Sequence, residues 1–125
     1  MVSIRPAVES GEASVFDLVT SLMEVSFDRE SFHEVFIQNL RDDTVLYYVA
    51  ESDLAVVGFA SLHILPQLHH TGLVGEILEL IVRESLRGSG TGTQLVSKLE
   101  QEAQRFYEHM GFTRTHENFT KNLFI

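Results

Sequence analysis

Residues 73–82 read LVGEILELIV, a stretch in which both alternating sets of side chains are apolar apart from Glu76 and Glu79. A strand of that composition belongs in the middle of a sheet, with both faces covered. The rest of the chain must therefore provide neighbouring strands and helices to cover them.

The flanking segments have the patterns this requires. VSIRPA reads as a short first strand. Ser10 or Glu12 precedes a run with Val15, Leu18, Val19, Leu22 and Met23 at helical spacing, and Asp28 is placed to cap a second helix carrying Phe32, Val35, Phe36 and Leu40 before the Asp42-Asp43 break. TVLYYVAE is rich in β-formers. The Ser52-Asp53 pair separates it from LAVVGFASLHILP, which reads as a β-hairpin whose second arm is ended by Pro66. Beyond residue 90, Leu95, Val96, Leu99, Ala103 and Phe106 describe an amphipathic helix, and ENFTKNLFI closes the chain as a last strand. The order predicts an α/β domain with a mixed sheet. With 125 residues and no linker or repeat, residues 1–125 are expected to form a single domain.

Composition narrows the chemistry. The absence of cysteine excludes disulfides, thiolate metal sites and a cysteine nucleophile, and fits a reducing cytoplasm. No signal-peptide pattern and no apolar stretch of membrane-spanning length occurs, so a cytoplasmic protein without a membrane partner is expected. Eighteen acidic against nine basic residues give a net charge of -9, which disfavours nucleic acid. Four of the nine basic residues, Arg83, Arg87, Lys98 and Arg105, nevertheless gather around residues 87–95, RGSGTGTQL, where a small anion could be held.

That stretch uses three of the chain's eight glycines. Glycine allows positive φ and lets main-chain N–H groups approach a ligand closely. Set between a central strand and a helix, the loop points those groups at whatever lies on the helix N-terminus, where negative charge is favoured. A phosphate or pyrophosphate fits. The loop is no Walker motif, because no GK[ST] follows, and Leu95 stands where the last glycine of a dinucleotide GxGxxG would fall.

ELIVRESLRGSGTGTQL resembles the acetyl-CoA motif of the GNAT N-acetyltransferase superfamily, [QR]-x-x-G-x-[GA], with Arg87, Gly88, Ser89, Gly90, Thr91 and Gly92 in its places. The preceding strand, the loop and the later FYEHMGF at residues 106–112 come in the family's order. Within the superfamily, NLRD, the LH...LHH run and GEI-EL most resemble the aminoalkylphosphonate N-acetyltransferases.

The resemblance implies a GNAT-like domain with a mixed, mostly antiparallel central sheet flanked by helices, and acetyl-CoA as cosubstrate. Main-chain groups of Leu80, Ile81 and Val82 would hold the pantetheine arm like an added strand, and Arg87, Gly88, Ser89, Gly90, Thr91, Gly92 and Thr93 the pyrophosphate. A neutral amine would attack the thioester directly, since no cysteine can carry the acyl group. Glu79, ahead of Glu76, is the candidate base, with water able to relay for either. The two share a face only if the strand bulges between them, as the family's strand does. Tyr107 matches the tyrosine that protonates the departing thiolate. Arg41 could meet a phosphonate or carboxylate with its planar fork, or could simply be a charge at a helix C-terminus. His63, His69 and His70 could meet the anionic end of a substrate. Without fixed spacing they are a weak metal signal, so a divalent metal is the lesser expectation and surface or core histidines the simpler account. A homodimer is common among the family's relatives. The acceptor indicated is a small primary amine, with an aminoalkylphosphonate as the subfamily's class. The alternative is a noncatalytic acetyl-CoA- or phosphate-binding sensor or regulatory module, which would need the loop but neither Glu79 nor Tyr107.

One departure stands out. The family places a further strand between the glycine-loop helix and the FY..GF helix, whereas here LVSKLEQEAQ runs straight into RFYEHMGF, leaving no room for a strand between residues 103 and 106. Deleting a strand would orphan ladder groups, so the expectation is a spatial break at residues 103–105 where a segment has dropped out of the chain; the other reading is a shortened variant.

Overall fold

A computed structural model of the chain describes residues 1–68, 72–109 and 119–121. Its elements are β1 (Ser3–Pro6), α1 (Glu12–Met23), α2 (Arg29–Leu40), β2 (Val45–Ser52), β3 (Ala55–Gln67), β4 (Gly72–Val82), α3 (Thr91–His109) and β5 (Phe119–Lys121). The five strands lie in the order β1-β2-β3-β4-β5. The first four pair antiparallel, while β5 runs parallel to β4 through Gly75–Phe119, Glu76–Thr120 and Ile77–Lys121. The sheet is thus mixed and mostly antiparallel, and β4 has strands on both sides.

Helices cover both faces of β4. On one face α3 packs Leu95, Leu99 and Ala103, none of them solvent-exposed, against Ala60, Leu62 and Ile77. On the other, Val15 and Leu18 of α1 and Phe36 of α2 meet Val49, Phe59 and Ile81. Aromatic contacts run from α1 through α2 into the sheet: Phe16 to Phe32 at 5.0 Å, Phe36 to Tyr47 at 5.5 Å and Tyr47 to Phe59 at 5.1 Å between ring centres. Glu12 and His33 tie the two helices together, with His33 Nδ1 2.6 Å from Glu12 Oε1. Asp28 caps α2 as its residue type predicts, accepting from the Ser31 N–H at 2.9 Å and the Ser31 hydroxyl at 2.6 Å. α1 follows a short turn over Glu9–Gly11 and has Gly11 at its cap position, with no side-chain cap.

Three expectations are corrected. Residues 55–67 form one continuous strand and not a hairpin, and Pro66 does not end it: β3 continues to Gln67, and Pro66 lies opposite Leu73 of β4. On the other side, β2 reaches only as far as Val45, opposite His63, and the Ile64 N–H donates to Thr44 O beyond it. Two residues on, the N–H that proline lacks would face an uncovered edge, so the ladder loses nothing.

The expected break at residues 103–105 is absent as well. α3 is one continuous helix from Thr91 to His109. Leu95, Leu99 and Ala103 recur every four residues on its buried face, and Phe106 and Tyr107 continue the same apolar stripe. The shortened junction keeps helical phase, so the segment RFYEHMGF begins as the last turns of α3. β5 lies parallel beside β4 but touches only three residues of that strand.

Candidate active site

The two glutamates of β4 are brought to one face by a bulge. Ser61 of β3 lies opposite Glu79 and Leu62 opposite Ile77, which leaves Leu78 as an extra residue on β4. Glu79 and Glu76, three residues apart, would otherwise point to opposite sides. Glu76 lies opposite His63, two residues along β3 from Ser61. Both glutamates are partly buried on the side covered by α1 and α2.

Glu79 is held in place by Ser61 of the neighbouring strand. The Ser61 hydroxyl donates to Glu79 Oε1 and also accepts the Glu79 N–H at 3.1 Å. Ser61 is completely buried, so its hydroxyl has little freedom to turn elsewhere. On β2, Tyr47 lies opposite Ser61. Its hydroxyl accepts from Asn39 Nδ2 at 2.6 Å. Burial pushes the Tyr47 hydroxyl above its usual pKa, the Asn39 hydrogen bond partly offsets this, and the nearby Glu79 adds to the rise. Sequence reasoning did not single out Ser61, Tyr47 or Asn39. The one available signal is a hydroxyl residue inside the apolar run VVGFASLHIL, at a position facing the interior.

Glu79 closes one side of a cavity of about 420 Å³ between α1, α2 and the sheet. Val15, Val19, Phe32, Phe36, Phe59 and Ile81 form much of its wall, with Asp28 and Ser31 the other polar residues besides Tyr47 and Glu79. Among the described residues, no Lys, Arg or His lines it.

Beside this cavity β4 has an open edge. β5 covers β4 only from Gly75 to Ile77, so among the described residues no strand pairs with that edge from Leu78 to Val82. The Arg83 N–H donates to Val57 O on the β3 side. By strand alternation, Ile81 also directs its main-chain groups toward β3, while Leu80 and Val82 direct theirs into the open edge. The side chain of Ile81 lines the cavity instead.

The glycine loop continues from this edge. Gly88 and Gly90 have φ of +84° and +91°, conformations that favour glycine, and a Cβ at either would meet nothing within 4 Å, so the loop's outer side is open. Gln94 N–H makes the first helical bond, to Gly90 O at 3.0 Å. The N–H groups of Thr91, Gly92 and Thr93 precede it and have no acceptor within the helix. Ser89 Oγ donates to Leu86 O at 2.5 Å and lies 3.0 Å from Thr91 Oγ1. Arg87 is tethered by Nε to Val82 O at 3.2 Å, and Arg83 by a guanidinium N–H to Val56 O at 3.2 Å. Lys98 and Arg105 instead pair with Glu102 on α3, at 3.3 and 3.2 Å. The positive charge near the loop therefore comes chiefly from Arg83 and Arg87.

Tyr107 and Arg41 lie apart from Glu79. Tyr107 is on α3, across the sheet, packed against the core. Its hydroxyl is buried, and no hydrogen bond of ordinary geometry reaches it among the described residues, although the Gly75 backbone is near enough to favour the phenolate modestly. Desolvation dominates and raises its pKa. Gly75 is four residues before Glu79 on β4, about 13 Å at an ordinary strand rise. Arg41 is the exposed C-cap of α2 and does not line the cavity. His69 and His70 lie outside the described residues, and among those described no group of three or more His, Asp or Glu could hold a metal. No helix among them is long and apolar enough to cross a membrane.

Known proteins share this fold. The profile of the Acetyltransferase (GNAT) family matches residues 13–120. The chain is 34% identical to the aminoalkylphosphonate N-acetyltransferase of Salmonella typhimurium, over 96% of this chain and 90% of that one. That alignment runs over 139 positions, more than the 125 residues present here, so the relative carries residues with no counterpart in this chain. Among solved structures, an acetyltransferase from Trypanosoma brucei superposes with a TM-score of 0.69 at 26% identity, covering 94% of this chain and 96% of that one. A predicted acetyltransferase from Clostridium acetobutylicum, solved with acetyl-CoA, has a TM-score of 0.71 at 18% identity, over 94% and 93% of the two chains. With the open β4 edge and the glycine loop at the head of α3, these matches place the chain in the GNAT family, as an N-acetyltransferase dependent on acetyl-CoA.

Proposed function

We propose that the protein, working as one unit over residues 1–125, transfers an acetyl group directly to a small primary amine, with Glu79 as the general base. The observation that carries this reading is the Glu79 carboxylate, fixed by Ser61 at the junction of the acceptor-sized cavity and the open edge of β4. Acetyl-CoA supplies an acyl group activated as a thioester. The main-chain groups of Leu80 and Val82 would hold its pantetheine arm, with Ile81 supporting from the cavity side. Arg87, Gly88, Ser89, Gly90, Thr91, Gly92 and Thr93 would hold its pyrophosphate with backbone N–H groups and the charge of Arg87.

The proton account runs through the chain's own side chains. An amine attacks only when neutral, so a carboxylate beside it must take the proton. Glu79 does this directly or through one water, and Glu76, on the same face, is the second candidate. Tyr107 is the proposed donor to the leaving sulfur, since its raised pKa keeps it protonated at neutral pH. It stands at the level of Gly75, where β5 pairs with β4, about 13 Å along the strand from Glu79, so it would reach the sulfur through relaying water. Arg41, His69 and His70 stay as proposed contacts for an anionic acceptor, and the name of the Salmonella relative makes an aminoalkylphosphonate the first such acceptor to test.

The deciding experiment measures release of free coenzyme A from acetyl-CoA with a panel of amines, for the wild type, Glu79→Gln and Glu76→Gln. We expect Glu79→Gln to lower kcat by about 10²–10⁴-fold while acetyl-CoA still binds, and Glu76→Gln to cost much less. Full activity of Glu79→Gln would remove it as the base. Binding of acetyl-CoA without turnover of any amine by the wild type would favour the noncatalytic reading.

A further inference from the structure

The cavity between α1 and α2 has a chemistry that the acetyl-transfer reading does not use. Its wall is aliphatic and aromatic on three sides: Val15, Val19 and Met23 from α1, Phe32 and Phe36 from α2, and Phe59 from the sheet. Among the described residues two carboxylates reach it. Asp28 at its rim is occupied by two hydrogen bonds from Ser31, which cap α2 and lower its pKa. Glu79, on the sheet side, has Oε1 held by Ser61 and faces the cavity. A site with Glu79 facing it, Asp28 engaged at its rim, apolar walls and no cation among the described lining residues selects by charge. It suits a group that is cationic at one end and apolar at the other. An anion seated there would lie next to Glu79, with no cation among the described lining residues to pair it.

We infer that this cavity is a subsite for the apolar body of the acceptor, so that the substrate class includes primary amines carrying an aryl or branched alkyl group, with the amine directed at Glu79. The inference rests on the acetyl-transfer reading and deepens it. The amine nitrogen loses a proton to Glu79 and bonds to the acyl carbon as the C–S bond breaks and coenzyme A leaves as a thiolate that takes up a proton, while the apolar body stays in the cavity and expels its water. A phosphonate-bearing amine would find no cation for its anion among the described lining residues and would have to point it elsewhere.

The test compares 2-phenylethylamine with 2-aminoethylphosphonate on the full chain, by coenzyme A release and by calorimetric binding of each amine. Two variants narrow the cavity from different places: Val19→Phe in the wall and Met23→Trp at the partly exposed rim. The expected result is a kcat/KM at least about tenfold higher for the aryl amine. In either variant its KM should rise at least about tenfold, with the KM for acetyl-CoA unchanged. A kcat/KM for the phosphonate equal to or above that of the aryl amine would overturn the inference while leaving acetyl transfer standing, as would aryl-amine KM values unmoved in both variants. Aryl-amine binding that both variants abolish, without turnover by the wild type, would keep the subsite and remove the catalytic reading instead.

Discussion

Ser61 determines what Glu79 can do. A carboxylate on a strand can rotate toward solvent, but here the fully buried Ser61 hydroxyl donates to one of its oxygens while the same hydroxyl takes the Glu79 N–H. Hydrogen bonds to a charged group contribute about 1.5–3 kcal/mol, so Ser61→Ala should lower kcat by roughly 10- to 100-fold. Ser61→Thr, which keeps a hydroxyl, should recover much of that loss. A purely structural role would instead appear as lost stability without a selective loss of kcat. Glu79 was legible in the sequence because a charged residue in an apolar strand needs a reason to be there. Ser61 was not, because its role depends on a residue 18 positions away and on a register that one bulge sets.

At the scale of elements, the docking of α3 on the sheet depends on one missing side chain. A Cβ at Gly58 would lie 3.2 Å from both Ile81 O and Leu95 Cδ1, and 3.3 Å from Ala50 Cβ. Gly58→Ala should therefore destabilise the fold by about 1–3 kcal/mol, seen as a lower denaturant midpoint at an unchanged slope. A midpoint at or above the wild-type value would mean that the helix can move off at no cost. Most elements were readable from periodicity, including the central placement of β4 and the Asp28 cap. Pro66 misled because its effect depends on where β2 begins, a fact of pairing rather than of local sequence. The expected break at residues 103–105 misled for a related reason. Counting residues shows that a strand is missing, but only the phase of Leu95, Leu99 and Ala103 shows that the helix can run on without it.

Across the whole molecule, all three tyrosines have raised pKa values with desolvation as the leading cause: Tyr47 and Tyr48 from opposite faces of β2, and Tyr107 from α3. The folded state keeps these protons at a pH where the unfolded chain gives them up. Their contribution to stability is therefore complete below the ordinary tyrosine pKa of about 10 and is lost as pH rises through the higher folded values. Denaturant titrations at increasing pH should show stability falling above about pH 10, with phenolate absorbance appearing together with unfolding. Tyr107→Phe should flatten part of that slope. At neutral pH it should cost little, because the hydroxyl it removes is buried without a hydrogen bond of ordinary geometry. A slope unchanged in the variant would assign the alkaline loss to general charge repulsion on a chain already at -9.

The edge of β4 from Leu78 to Val82, uncovered among the described residues, has a consequence for how the protein is handled. Amides and carbonyls along a sheet margin accept any extended partner, whether a cosubstrate or a strand from another copy. Acetyl-CoA lying there would complete the sheet as well as supply the reaction, and its concentration would then raise the melting temperature by mass action. Preparations stripped of it would be the ones to self-associate on storage, and adding it back before concentration should keep them dispersed.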